Sequence, residues 1–288
     1  MLEMDLRTAD GRTLHCYDTG HGGDAPSGHD ERLVVFWHHG TPNVGAPPGP
    51  LFAESERLGV RWVSYDRPGY GGSSPLPDRD VASVVDDVTT IIDALEIDRL
   101  ATMGHSGGGP RALATAALLP DRVRAAVSIS GLAPYDATGL DWYAGMADGS
   151  AAGLRAAAGG RATKERYEAS GDEGDIGFID ADEAALGGEW AWFLDVVRPG
   201  MASGPVPLID DDLSAVNPWG FDPATITAPT LLVHGGRDAM VPSAHSEWLA
   251  RQIPSAELWV EPDEGHVSVM HRAPAALAWL VGATEAGR

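Results

Sequence analysis

One serine of this 288-residue chain sits in the composition that nucleophilic chemistry asks for. Ser106 lies in "MGHSGGGPRALA" (103–114), within Gly104-His105-Ser106-Gly107-Gly108, a G-x-S-x-G pattern. A serine hydroxyl is a poor nucleophile until a base takes its proton, so a histidine and an orienting acid must be found elsewhere. Small residues on both sides let the backbone turn sharply and hold a strained residue at the turn. In a chain with 36 glycines the pattern also arises by chance, so its surroundings decide. The competing use of such glycines is a phosphate cradle. That use needs G-x-x-x-x-G-K-[ST], whose lysine reaches the terminal phosphates. Gly40 and Gly45 have the glycine spacing, but Ala46 stands where the lysine belongs.

The surroundings favour a nucleophile. "RLATM" (99–103) reads as a strand and "PRALATAALL" (110–119) as a helix, the context a nucleophile elbow requires. Pro110 is tolerated in the first helical turn, where its missing N–H would be unpaired anyway. Residues 4–20 read as a hairpin around Asp10-Gly11. "LVVFW" (33–37) is the continuous apolar run of a strand covered on both faces. A helical stretch near 51–58, a strand "VRWVSYD" (60–66), a helix over 81–97 and a strand "VRAAVSIS" (123–130) continue the alternation. It resumes with a strand at 228–236, a helix at 243–253, a strand at 256–262 and a helix near 273–283. This βαβα order implies an α/β protein with a mainly parallel, doubly wound sheet and helices on both faces.

In such a sheet ligands bind at the carboxyl edge of the strands, and the chain order is serine, acid, histidine. Asp238 follows "TLLVHGG", and His266 follows "AELWVEP", so both fall at that edge in that order. Acyl transfer also develops charge on the carbonyl oxygen, and each backbone N–H aimed at it contributes about 3–4 kcal/mol. Gly107, after the nucleophile, is one candidate donor. Thr41, in His39-Gly40-Thr41-Pro42 after the first central strand, is the other, with His39 read as holding that loop.

Residues 135–215 change texture, being rich in Ala, Gly, Asp and Trp without convincing buried strands. They read as a helical cap inserted between core segments 1–134 and 216–288, with 150–158 and 181–197 helical. Trp142, Trp190 and Trp192 are read first as packing residues, and are also the cap's candidates for substrate contact. "DEGDIGFIDADE" (172–183) echoes a calcium loop, but Gly174 and Ile176 stand where oxygen ligands belong. It reads as a solvated acidic loop, and "DDD" (210–212) as a solvated run. The histidines lack the H-E-x-x-H of zinc hydrolases, and Cys16 has no local basic partner to make it reactive.

The formal charge is −22, with 42 acidic and 20 basic residues, of which only Lys164 is a lysine. A field of that sign disfavours nucleic acid and anionic membranes as partners. A single cysteine permits no intrachain disulfide, in keeping with a reducing compartment. "MLEMDLRTAD" lacks a signal peptide's basic and apolar regions, and no run of about 18 apolar residues exists. The expectation is a cytoplasmic protein with a small-molecule substrate and no metal or cofactor.

Taken together, "HGTP" (39–42), "YDRPGYGGS" (65–73), "GHSGGG" (104–109), "HGGRDAMVP" (234–242) and "EGH" (264–266) resemble the α/β-hydrolase superfamily, in its cap-bearing, esterase-like serine branch. The resemblance implies Ser106 as nucleophile, His266 as general base, Asp238 as its orienting acid, and Thr41 and Gly107 as oxyanion donors. It makes "YDRPGYGGS" a structural turn in which Asp66 and Arg67 tie loops together. Haloalkane dehalogenases and most epoxide hydrolases of this fold carry aspartate at the elbow, so Ser106 disfavours both. The expected substrate is a small or medium, mostly apolar carboxylic ester. An amide or N-terminal peptide bond, a lactone, a carbon–carbon bond, acyl transfer, or a non-catalytic receptor role are the alternatives.

Overall fold

Strand β3 (Leu33–His38) shows why the middle of this molecule reads as unbroken apolar sequence. Successive side chains of a strand point to opposite faces. Val34 and Phe36 therefore enter one hydrophobic cluster, while Val35 and Trp37 enter another on the far side of the sheet. The structure, a computed structural model, describes residues 1–20, 32–171, 174–202 and 204–286.

The other strands are β1 (Leu2–Arg7), β2 (Thr13–Asp18), β4 (Val60–Tyr65), β5 (Leu100–His105), β6 (Val123–Ile129), β7 (Thr230–Gly235) and β8 (Ala256–Glu261). Among the described residues these eight form one sheet in the order β1-β2-β4-β3-β5-β6-β7-β8. The first two form an antiparallel hairpin that turns at Asp10-Gly11, with Gly11 at φ +87°, and β2 pairs antiparallel with β4. From β4 to β8 every pairing is parallel.

The helices are α1 (Phe52–Leu58), α2 (Val84–Ala94), α3 (Gly108–Leu118), α4 (Asp148–Ala158), α5 (Arg161–Ser170), α6 (Asp180–Leu186), α7 (Trp192–Ala202), α8 (Val206–Val216), α9 (Ala244–Gln252) and α10 (Ala273–Ala286). Apolar residues of α2, α3 and α9 cover one face of the sheet, and those of α1 and α10 the other. In α2, Val84, Val88, Ile91 and Ile92 are buried at helical spacing. Helices α4 to α8 fill the connection between β6 and β7. The single helix read over 181–197 is two, α6 and α7. Gly187 and Gly188 follow α6, and glycine costs about 1 kcal/mol in a helix interior.

Candidate active site

The residues with candidate chemistry sit where β3, β5, β7 and β8 release their chains at one edge of the sheet. Ser106 follows the last residue of β5 and adopts φ +55°, a left-handed conformation rare for serine. Its N–H donates to the Ile129 carbonyl (2.8 Å), and its own carbonyl accepts from Gly109 N (2.9 Å). The glycine at 108 is a demand of close approach: a Cβ there would lie 1.9 Å from the His38 carbonyl oxygen. One at 107 would lie 2.5 Å from the Thr41 hydroxyl.

Ser106 Oγ is 2.9 Å from His266 Nε2, and His266 Nδ1 is 2.7 Å from Asp238 Oδ2. The other carboxylate oxygen of Asp238 accepts from the N–H groups of Met240 (3.0 Å) and Val241 (2.8 Å). An ionised acceptor at Nδ1 fixes the proton there and leaves the Nε2 lone pair facing the serine hydroxyl. Burial opposes a charge on His266, but the adjacent Asp238 carboxylate outweighs it and raises the histidine above its ordinary value. Burial also opposes the Asp238 charge, yet His266 and His234 hold that carboxyl well below the usual range.

Thr41 and Gly107 lie beside Ser106 in the same cavity. Among the described residues neither backbone N–H has a protein acceptor, and both remain available to an incoming oxygen. Gly107 also precedes the first turn of α3, whose dipole favours negative charge at that point. His39 holds the Thr41 loop. Its Nδ1–H donates to the Gly40 carbonyl (2.8 Å) and its Nε2 accepts from Arg67 N (3.0 Å). Asp66 ties together Gly45 N (2.6 Å), Gly72 N (2.9 Å) and the Tyr17 hydroxyl (3.0 Å).

The two acidic stretches depart from the sequence expectation. Asp210 and Asp211 of α8 are buried, not solvated. Asp211 accepts from Arg67 (2.6 Å), Arg79 (3.0 Å), Arg111 (3.1 Å), the Thr41 hydroxyl (2.6 Å) and the Tyr70 hydroxyl (3.1 Å). Burial opposes its charge, but the three guanidinium groups outweigh that and hold it well below the usual carboxylate range. Arg111 also donates to the Gly107 carbonyl (2.6 Å), and Arg67 to the carbonyls of His39 and Gly40. One carboxylate of α8 therefore organises both segments that carry the free N–H groups.

Asp182, the second departure, is fully buried. Residues 172 and 173 of its acidic stretch lie outside the described residues. The Asp182 carboxylate accepts from Val267 N and Ser268 N, both at 2.8 Å, and from Ile179 N (3.1 Å). A Cβ on Gly265 would lie 2.1 Å from it. The residues on either side of His266 are thus packed onto the first turn of α6.

Further residues went unread in the sequence. His105 Nε2–H donates to the His266 carbonyl (3.0 Å), and burial pushes its pKa down to about 3. His234 donates from Nε2 to the Val241 carbonyl (2.7 Å) and accepts at Nδ1 from the Ser246 hydroxyl (2.7 Å), pinning the Asp238 loop. His234 and His105 stand in the quoted motifs, so their positions were visible although their partners were not.

The cavity over Ser106 has a volume of about 340 Å³. Leu132, Leu154, Val197, Met201, Leu208 and Val241 give it apolar walls, and Lys164, Glu168 and Asp212 a charged one. The tryptophans offered as substrate contacts do not line it. Trp142 donates from Nε1 to the Ala133 carbonyl (3.0 Å) and packs on His245. Trp190 lies in the hydrophobic core, and Trp192 packs between Trp37 and Phe193. Large rings gain most by burying their area; Trp142 and Trp190 bury theirs against the body of the protein, and Trp192 part of its own. Among the described residues no group of three His, Cys, Asp or Glu side chains could hold a metal ion, and no helix is long and apolar enough to cross a membrane.

A mainly parallel sheet with a left-handed serine between its central strand and the following helix is the framework of one large class. Residues 34–278 match the alpha/beta hydrolase family, and the chain belongs to it. Within that family it is similar to the pimeloyl-[acyl-carrier protein] methyl ester esterase of Nitrosomonas europaea, with 26% identity over 261 residues covering 88% of this chain and 92% of the relative. It is likewise similar to esterase YbfF of Escherichia coli, with 26% identity covering 75% and 83%. The structure of a thermophilic esterase from Thermogutta terrifontis has the same fold, with a TM-score of 0.68 and 22% identity over 99% of this chain and 100% of that one.

Proposed function

We propose that this hydrolase cleaves a small or medium, mostly apolar carboxylic ester through an acyl-serine intermediate. The observation that carries the reading is the continuous relay from Ser106 through His266 to Asp238 at 2.9 and 2.7 Å. His266 Nε2 takes the hydroxyl proton as Ser106 Oγ attacks the carbonyl carbon. The carbonyl oxygen becomes an oxyanion and accepts from the N–H groups of Thr41 and Gly107. Collapse expels the alcohol, protonated by His266. Water activated by the same imidazole then releases the acid and restores the serine. Asp238 keeps the imidazole in the working tautomer and stabilises its charged form. The apolar walls of the cavity favour an apolar acyl or alcohol chain, and the esterases among the similar proteins support the same bond type.

The test is covalent labelling by a fluorophosphonate together with a screen of matched esters, anilides and lactones. Wild-type protein labels at Ser106 and turns over the ester at least tenfold faster than the anilide or lactone. Ser106→Ala loses both labelling and turnover. Labelling that persists in this variant overturns the nucleophile assignment. Faster anilide or lactone turnover overturns the ester assignment while leaving the nucleophile in place.

A further inference from the structure

We propose that the cavity over Ser106 selects substrates bearing a hydrogen-bond donor, a hydroxyl above all, remote from the reacting carbonyl, and rejects those bearing a carboxylate there. Lys164, Glu168 and Asp212 determine that choice. The inference deepens the reading of Ser106 as nucleophile and rests on it.

Lys164 of α5 is the single lysine of the chain, and only 2% of its side chain is exposed. Its ammonium lies 2.6 Å from Asp212 Oδ2 on α8 and 2.7 Å from Glu168 Oε1 one turn along α5, over the ring of Tyr167. All three charged groups line the cavity that Ser106 lines. The balance is two carboxylates to one ammonium, an excess of one negative charge. Arg111, the other cation of the cavity wall, is engaged by the Gly107 carbonyl, Asp211 and the Ser214 hydroxyl.

The more accessible side chains are those of the acceptors. The Asp212 and Glu168 side chains keep 20% and 17% exposure, while the ammonium is enclosed. Among the described residues only Lys164 donates to either carboxylate, at one oxygen of each. A substrate hydroxyl reaching this wall finds a charged acceptor, and such hydrogen bonds are roughly twice as strong as neutral ones. A methyl group there leaves the carboxylates without a donor. A substrate carboxylate reaching the same wall meets excess like charge at close range, where repulsion is strongest. An ion pair that merely ties α5 to α8 would leave every one of these preferences flat.

The experiment measures second-order labelling rates of Ser106 by three fluorophosphonates of equal chain length, ending in methyl, hydroxyl or carboxylate. Labelling reports the cavity whichever acyl bond is cleaved. In wild-type protein the hydroxyl tail reacts fastest, and the carboxylate tail at least about tenfold slower than it. Asp212→Asn and Glu168→Gln each remove the excess charge and raise the carboxylate-to-methyl ratio by about tenfold. Ratios taken within one variant do not depend on how much of it is folded. Wild-type rates within twofold of one another, or ratios unmoved in both variants, overturn the inference and leave the nucleophile standing. Absence of labelling by all three tails overturns the nucleophile reading itself, and this inference with it.

Discussion

Asp182 acts on His266 without touching it. Its carboxylate holds the N–H groups of the two residues after the histidine, and its charge adds to that of Asp238 in favouring the imidazolium. Asp182→Asn keeps a carbonyl acceptor but removes the charge. The acid limb of the kcat/KM profile, which reports protonation of the base, should then move to lower pH. Asp182→Ala should move the limb and also lose about tenfold in kcat/KM, about 1.4 kcal/mol, because the loop loses its anchor. Profiles of purified variants from pH 5 to 9 check both, and superimposable limbs would remove the electrostatic role. The same scale shows why some residues were legible and others not. Ser106, Asp238 and His266 each follow a readable strand in a required order. Asp182 contacts residues 85 and 86 positions away, and no local pattern announces a contact across that distance.

Helix α8 does at the element scale what Asp182 does for one loop. Its buried residues Pro207, Asp211, Ser214 and Ala215 recur at helical spacing, which was the available sign that "DDD" is not all solvated. The sign is weak because aspartate is almost never fully buried unless paired, and the pairing arginines come from two segments distant in sequence, the connection after β4 and helix α3. Asp211→Asn leaves Arg67, Arg79 and Arg111 without their shared counter-charge. Breaking a buried pair from one side costs about 3–5 kcal/mol, so the denaturant midpoint should fall accordingly. Ester turnover should fall as well, since the Thr41 hydroxyl and the Gly107 carbonyl hang on the same network. An unchanged midpoint would show the cluster to be dispensable. At the elbow, Gly108→Ala drives a methyl group into the His38 carbonyl, an overpacking cost of about 1–3 kcal/mol or more. The mainly parallel sheet was legible from the alternation of continuous apolar runs with amphipathic helices, but its strand order, with β4 between β2 and β3, was not, because no local pattern says which strands lie side by side. The break between α6 and α7 was not, because the Trp and Ala around Gly187-Gly188 sustain an apparent helix.

At the scale of the whole molecule, four histidines are buried neutral. His38, His39, His105 and His245 are all pushed down by burial, His105 to about 3 and His245 to about 4. In the unfolded chain each titrates near 6.5. Below that pH the unfolded state binds more protons than the folded one, so stability falls as pH falls. Each histidine contributes up to about 1.4 kcal/mol per pH unit until its folded pKa is reached. Four together give about 5 kcal/mol per unit, against a total of about 5–15 kcal/mol for a typical domain. His266, raised instead, is protonated in both states well below 6.5, so its stabilisation is fully present there and adds no slope. Urea midpoints should hold near pH 7.5 and drop steeply between about pH 6 and 4.5, and a flat profile would contradict neutral burial of these rings. The single lysine has a consequence for the molecule as a reagent target. Lysine-directed acylating reagents have one side chain to modify, enclosed by Asp212 and Glu168 at the seam of α5 and α8. The rate at which peptide mass mapping finds Lys164 modified is therefore a clock for the release of its ammonium from those two carboxylates.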